Sequence, residues 1–238
     1  MTTPRRSRAA PLDGVGVLLA PGAGADREQP ALVALDDALR ALGARVRRMD
    51  FPYRRAGRRA PDRLPVLVAS LAEEAEALRR LAPRLVLGGR SMGGRVASVA
   101  VAEGLDAAGL LLVSYPLHPP GRPDRPRTGH LGAIGVPCLF VSGTRDAFGT
   151  PGELEAATAA IRGPVTHRWI QGGDHGLRRR DSEVAELAAA WAVGTFGSAS
   201  ERSAAPGRVR ATRSASSRTD PQPPSGLTPP PAGGRRRG

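Results

Sequence analysis

The chain has 238 residues and a formal net charge of +13, and all 35 of its Lys and Arg residues are arginine. Its single cysteine, Cys138, excludes an intramolecular disulfide, and its apolar surroundings indicate a buried thiol. No apolar run reaches the length of a bilayer-spanning helix, which argues against a membrane-embedded protein. The positive charge lies mainly at the two ends of the chain, so we do not take it as the mark of a nucleic-acid-binding domain.

Composition divides the chain into three parts. Residues 1–12 contain three Arg and no acidic residue, which predicts a flexible basic N-terminus. Residues 13–196 carry the apolar patterns of one folded domain. Residues 197–238 are rich in Arg, Pro, Ser and Gly, and they have too few large apolar side chains to offset the entropy of ordering. We predict that this last part is a disordered tail.

The first apolar run, residues 15–20, follows three arginines and therefore resembles part of a signal peptide. Asp13 precedes the run and Pro21 interrupts it after six residues, so we interpret it as the first core strand. We accordingly expect a cytoplasmic protein with no membrane partner.

Short apolar runs then alternate with helical patterns along the domain, which is typical of an α/β protein. The predicted strands are Val15–Ala20, Arg45–Phe51, Arg84–Gly88, Gly109–Ser114, Pro137–Ser142 and Val165–Ile170. The predicted helices are 29–42, 65–82, 92–103, 151–162 and 182–195. Continuous apolar strands indicate a mostly parallel sheet of about six strands with helices on both faces. The segment 115–136 is too short to form a cap domain.

The segment RLVLGGRSMGGRVAS is the most informative motif, because it predicts a strand, a tight turn and a helix with Ser91 at the apex. Gly89 and Gly93 stand two residues to either side, where glycine permits strained backbone and close approach of strand and helix. Such a turn exposes a serine hydroxyl at the end of a sheet. Ser91 is therefore our candidate nucleophile, and a purely structural turn serine is the alternative.

Candidate partners for Ser91 follow in the chain order Ser, Asp, His. His175, in a glycine-bearing loop after the last strand, would remove the serine proton, and Asp146 would orient the imidazole. Asp174 is adjacent to His175, but neighbouring side chains rarely converge on one site, so we prefer Asp146. The alternatives are an exposed loop histidine and a turn aspartate.

Backbone N–H groups are the candidates for an oxyanion hole. Met92 follows the nucleophile, and Ala23 lies in the loop after the first strand. We expect no cofactor and no metal, because the sequence has neither a phosphate-binding Gly-Lys-Ser/Thr motif nor a Cys/His cluster with metal-ligand spacing. Of the other histidines, His118 is a candidate for the pocket lining or for a surface loop, and we favour the surface loop.

Four motifs in order resemble those of small bacterial α/β-hydrolase-like proteins, namely GGRSMGGR, SYPLHPPGRP, LFVSGTRDAFG and GGDHGL. These proteins are similar to dienelactone hydrolases and to the hydrolase-like domain of a subunit of the eukaryotic NSL histone-acetyltransferase complex. The resemblance covers about residues 12–196 and implies a compact α/β-hydrolase fold with a Ser91–Asp146–His175 site. The chain departs from many relatives in having Pro21-Gly22 where they have His-Gly.

The expected function is hydrolysis of a small carboxylic ester, thioester or lactone through an acyl-enzyme, with a small-molecule acyl substrate as the partner. The alternative is a catalytically silent hydrolase-fold module that binds or scaffolds, because a fold does not guarantee an activity. A third class, nucleic-acid binding, would be limited to weak, salt-sensitive and non-specific contacts through the arginine tail.

Overall fold

Six parallel strands form a single sheet, in the order β2-β1-β3-β4-β5-β6, in a computed structural model that describes residues 9–197. The elements are β1 Val15–Ala20, α1 Pro30–Ala41, β2 Arg45–Arg48, α2 Pro52–Arg55, α3 Leu64–Arg79, β3 Arg84–Arg90, α4 Met92–Ala102, β4 Gly109–Val113, a 3-10 helix Leu131–Ala133, β5 Cys138–Gly143, α5 Pro151–Thr158, β6 Val165–Ile170 and α6 Asp181–Phe196. The predicted α/β class and parallel sheet are confirmed.

Both faces of the sheet are buried, which explains why its inner strands are continuous apolar runs. Leu110 and Leu112 of β4 join the core formed with α3, α4 and α5, whereas Leu111 and Val113 join the core formed with α1 and α6. Side chains of a strand alternate between faces, so each inner strand supplies both cores. All carboxyl ends of the strands meet at one edge, where ligands bind in sheets of this type.

The structure differs from the sequence prediction around β2. The strand ends at Arg48 rather than at Phe51, and the short helix α2, which the sequence analysis missed, begins at Pro52. Phe51 is fully buried at the N-terminal end of that helix. The apolar character of Phe51 therefore reflects burial in the core shared with α3 and α4 and not strand pairing.

The folded structure begins slightly before the predicted boundary, because Leu12 is fully buried and its N–H donates to the Leu42 carbonyl at 2.8 Å. Residues 1–8 and 198–238 lie outside the described residues, so the flexible N-terminus and the disordered tail stay predictions. None of the helices between residues 9 and 197 is both long enough and apolar enough to cross a membrane.

The segment between β4 and β5 is anchored to α4 by a triangle of hydrogen bonds. Ser98 Oγ lies 2.9 Å from Tyr115 OH and 2.9 Å from His130 Nε2, and the last two atoms are 3.2 Å apart. Burial, assisted by the positive charge of Arg95, lowers the pKa of His130 to about 4. His130 is therefore neutral in the folded protein near neutral pH.

This triangle predicts a pH-dependent stability. The pKa of His130 is lower in the folded protein than in the unfolded chain, so the unfolded chain binds more protons between about pH 4 and 6.5. The stabilisation is complete above that window and is lost as the pH falls through it. We expect His130→Gln to flatten the pH dependence of the free energy of unfolding by about 1 kcal/mol, after allowance for solvent screening. Urea titrations at several pH values across the window measure the free energy of unfolding of both proteins. The same dependence of that free energy on pH in the two proteins would contradict the prediction.

Candidate active site

Ser91 lies on a strained turn between β3 and α4. Its φ of 51° and ψ of −116° are unusual for a residue with a side chain. The Ser91 N–H donates to the Val113 carbonyl at 2.8 Å, which fixes the turn against the end of β4. Strain of this kind persists where the surroundings determine the conformation, and it concentrates at functional sites.

The two glycines that flank Ser91 are required by close packing against the end of β1. A Cβ atom at Gly89 would lie 2.0 Å from the Ala20 carbonyl oxygen, and one at Gly93 would lie 2.1 Å from the same atom. Contacts this short are impossible, so only glycine fits at either position. The spacing that the sequence displays is thus a steric requirement of the turn.

The structure brings together the three side chains that the sequence analysis selected. Ser91 Oγ lies 2.9 Å from His175 Nε2. On the other side of the ring, His175 Nδ1 lies 2.9 Å and 3.0 Å from the two carboxylate oxygens of Asp146. The Asp146 side chain is fully buried, whereas the imidazole is 20% exposed. Oδ1 of Asp146 also accepts the Phe148 N–H at 2.8 Å, which holds the carboxylate in place.

Direct backbone contacts join the loops that carry Asp146 and His175. The Arg145 N–H donates to the Gly173 carbonyl at 2.8 Å, and the Gly172 N–H donates to Thr144 Oγ1 at 2.9 Å. A Cβ atom at Gly143 would lie 2.2 Å from the Gly173 carbonyl oxygen, so glycine at the end of β5 permits this approach. The positions of Asp146 and His175 are therefore set together.

Asp174, the alternative to Asp146, has a different role. Its Oδ1 accepts the Leu177 N–H at 3.0 Å and so closes the turn after His175. Among the described residues, no hydrogen bond or ion pair links Asp174 to the imidazole. The arrangement accords with the preference for Asp146.

The candidate oxyanion donors lie on two neighbouring segments. Met92 is the first residue of α4, where the N–H has no partner within the helix. In the loop after β1, the Gly22 N–H donates to Gln29 Oε1 at 3.0 Å and the Gly24 N–H donates to Tyr53 OH at 3.2 Å. The Ala23 N–H, between them, has no acceptor within the described residues. Of these three N–H groups, it is the one available to a ligand.

Two residues next to His175 were not identified from the sequence. The Phe148 ring stacks on the imidazole, with centroids 3.9 Å apart and planes inclined by 26°. Arg90 immediately precedes Ser91, and its Nη2 donates to the carbonyls of His175 and Gly176 at 2.7 Å and 3.0 Å. Burial lowers the pKa of Arg90, and the negative charge of Asp146 opposes that effect. The position of Arg90 inside the serine motif was the available signal, but the motif gives no role to that residue.

We predict that Arg90→Met lowers kcat because it frees the loop that holds His175. Two hydrogen bonds from a cation would be lost, and displacement of a catalytic group by about 1 Å costs on the order of 100-fold in rate. KM should change little, because Arg90 bonds backbone carbonyls of the protein. Steady-state kinetics on a short ester measures the two constants, with the exposed Arg178 of the same loop changed to Met as the control. Equal kcat values for both variants would contradict a positioning role.

His118 is buried and not on the surface, so the sequence-based preference was wrong. The residue is only 5% exposed, its Nδ1–H donates to the Pro119 carbonyl at 2.8 Å, and its N–H donates to the Phe148 carbonyl at 3.1 Å. This contact packs the segment after β4 against the loop that carries Asp146. Within residues 9–197, no three His, Cys, Asp or Glu side chains are grouped in a way that would hold a metal ion.

Several solved structures share this fold. A serine hydrolase homologue from Coxiella burnetii is 20% identical with a TM-score of 0.62, covering 74% of this chain and 83% of that one. Est1E from Butyrivibrio proteoclasticus is 15% identical with a TM-score of 0.64, covering 78% and 90%. XC6422 from Xanthomonas campestris, described as an α/β serine hydrolase without a lid, is 20% identical with a TM-score of 0.61, covering 85% and 87%. At these identities the likeness concerns the fold.

A family model gives a more specific assignment. Residues 13–196 match the model described as an alpha/beta hydrolase domain. The match contains every strand of the sheet and all three residues of the Ser91–His175–Asp146 arrangement. Because it spans most of the sequence, the chain belongs to the alpha/beta hydrolase domain family.

Proposed function

We propose that this protein is a serine hydrolase that cleaves a small carboxylic ester, thioester or lactone. One observation carries the proposal, the continuous line of hydrogen bonds from Ser91 Oγ through the His175 ring to the buried Asp146 carboxylate. A serine hydroxyl becomes a nucleophile when a base stands within hydrogen-bond reach and a third group orients that base. The distances at the carboxyl edge of the sheet support both conditions.

The reaction proceeds in two halves. His175 Nε2 takes the hydroxyl proton as Ser91 Oγ attacks the carbonyl carbon, and Asp146 stabilises the imidazolium through the Nδ1–H. The N–H groups of Met92 and Ala23 donate to the oxyanion that forms. The tetrahedral intermediate then collapses, His175 protonates the departing alcohol, thiol or lactone hydroxyl, and an acyl-Ser91 ester remains. Water, deprotonated by His175, cleaves that ester and regenerates the serine.

Small substrates fit this site best. The segment between β4 and β5 contributes a three-residue 3-10 helix and no separate domain, so nothing comparable to a cap covers Ser91 within residues 9–197. A shallow site of this kind supplies little apolar surface to a long lipid chain. The resemblance to dienelactone hydrolases in the four sequence motifs also favours a small ester or a lactone.

Covalent labelling tests the proposal directly. A fluorophosphonate should modify the folded protein at Ser91, as mapped by peptide mass spectrometry, and heat-denatured protein should not react. A panel of short p-nitrophenyl esters, one thioester and one lactone then identifies the acyl and leaving groups. A folded protein that neither reacts with the probe nor turns over any member of the panel would be a silent module, and the hydrolase proposal would fail.

A further inference from the structure

A second group of polar side chains lies along α4, beyond the catalytic serine. Its members are Arg95 and Ser98 of α4, Tyr115, which follows β4, and Arg127 and His130 of the next connection, and we call them the Arg95 cluster. The hydroxyl groups of Ser98 and Tyr115 and the imidazole of His130 satisfy one another in the hydrogen-bonded triangle described above. The two guanidinium groups are not part of that triangle.

Arg95 is a partly buried cation without a partner. Its Nε is buried and makes no hydrogen bond, and its guanidinium has no ion pair within the described residues. Burial lowers the pKa of Arg95; the nearby Tyr115 opposes that effect, and the positive charge of Arg127 adds to it. A buried charge normally has a hydrogen-bonded counter-charge, since removing it from water is costly.

Arg127 adds a second unpaired cation to the same place. Its side chain makes no hydrogen bond or ion pair in the part of the chain that the structure describes, and its backbone N–H is fixed to the Leu117 carbonyl at 2.8 Å. Several other arginines of the domain are paired with acids, as Arg48 is with Asp36 at 2.9 Å and Arg79 with Asp106 at 2.7 Å. Arg127 lies near enough to act electrostatically on Arg95, and neither has an acidic partner within the described residues, so an anion bound beside them would be stabilised.

The Arg95 cluster borders the proposed reaction centre. The Arg95 N–H donates to the Ser91 carbonyl at 3.0 Å, so the two residues are one helical turn apart on α4. Tyr115 follows β4, which pairs with β3 and ends at the same edge of the sheet. Residues four positions apart lie on the same face of a helix, so Arg95 is placed to meet a charged group on an acyl chain attached at Ser91.

We propose that Arg95, assisted by Arg127, binds an oxyanion group carried by the substrate, so that the natural substrate is an anionic acyl ester or thioester. This inference rests on the proposed hydrolase function. The guanidinium presents a planar set of donors that matches a carboxylate or phosphate in two parallel hydrogen bonds. Partial burial strengthens such a contact relative to one on the open surface.

Paired substrates test the proposal. The comparison is between p-nitrophenyl hemiesters of succinate, glutarate and adipate, phosphoryl-bearing p-nitrophenyl esters of similar length, and neutral p-nitrophenyl esters of the same lengths. We expect wild-type protein to favour one anionic series in kcat/KM, and Arg95→Met to reduce the anionic-to-neutral ratio by about 10- to 100-fold. Arg127→Met should reduce it less. Arg80→Met, an exposed arginine at the end of α3, is the matched control and should keep the wild-type ratio.

Binding without turnover separates this inference from the proposed function. Calorimetric titration of wild-type, Arg95→Met and Arg127→Met protein with glutarate and with inorganic phosphate reports the anion site even if no ester is hydrolysed. Binding that is lost in Arg95→Met and weakened in Arg127→Met supports the site, and the better ligand distinguishes carboxylate from phosphate. An unchanged substrate ratio in Arg95→Met, or no binding of either anion to wild-type protein, overturns it. If Arg95→Met does not fold, the anionic-to-neutral ratio and anion binding of Arg127→Met test the proposal instead.

Discussion

Replacement of Ser91 by alanine should reduce ester turnover by on the order of 10⁴-fold or more, because the members of such a triad act as a unit. The change removes the atom that lies 2.9 Å from His175 Nε2 and so removes the acyl-enzyme route. Residual hydrolysis would come from the oxyanion donors and from substrate binding alone. Initial rates on a short p-nitrophenyl ester and loss of fluorophosphonate labelling measure the effect.

Ser142→Ala is a suitable control for this experiment. Ser142 is a fully buried serine of β5 whose Oγ makes no hydrogen bond, so its loss should leave both turnover and labelling unchanged. Circular dichroism and thermal melting should show that Ser91→Ala retains the native fold. If Ser91→Ala kept more than a tenth of the wild-type activity, the nucleophile would have to be sought elsewhere in the protein.

The fold was predictable where its causes are local. The predicted and observed limits of β1 and β6 agree, because each strand is a short run bounded by turn residues. The spacing of Gly89, Ser91 and Gly93 was equally predictable. Close contact with the Ala20 carbonyl oxygen permits only glycine at the two flanking positions. Chain order then selected Asp146 and His175 as partners, because both follow later strands of the same parallel sheet.

Other features depend on contacts between distant segments and leave no periodic signal. Arg90 donates hydrogen bonds to carbonyls 85 and 86 residues away, and nothing in the serine motif indicates contacts between such distant residues. Phe148 resembles any apolar loop residue until it is found stacked on His175. His118 stands among prolines and charged residues, which suggests a surface loop, yet its segment folds inward against the Phe148 carbonyl. Tertiary contacts that override composition explain all three cases.

Asp146→Asn should lower kcat by about 10⁴-fold while it preserves the shape of the site. The carboxylate of Asp146 now accepts from His175 Nδ1, which leaves Nε2 free to take the proton of Ser91. In asparagine, the amide oxygen would continue to accept the Phe148 N–H, and the amide NH2 would face the imidazole. Because the amide NH2 donates to Nδ1 of His175, the imidazole proton moves to Nε2. Nε2 then can no longer take the proton of Ser91. The measurement is kcat on a short ester, together with the rate of fluorophosphonate labelling.

Asp174→Asn is the matched control, because it makes the same chemical change at the residue next to His175. The amide oxygen of asparagine can replace Oδ1 of Asp174 as acceptor for the Leu177 N–H, so the turn is kept. We expect kcat within about threefold of wild type for this variant, since no charge-assisted bond to the imidazole is removed. The reverse result, a large loss in Asp174→Asn and a small one in Asp146→Asn, would transfer the orienting role to Asp174. A small loss in both would mean that Ser91 and His175 operate without a carboxylate, and the labelling rate would then be equal in all three proteins.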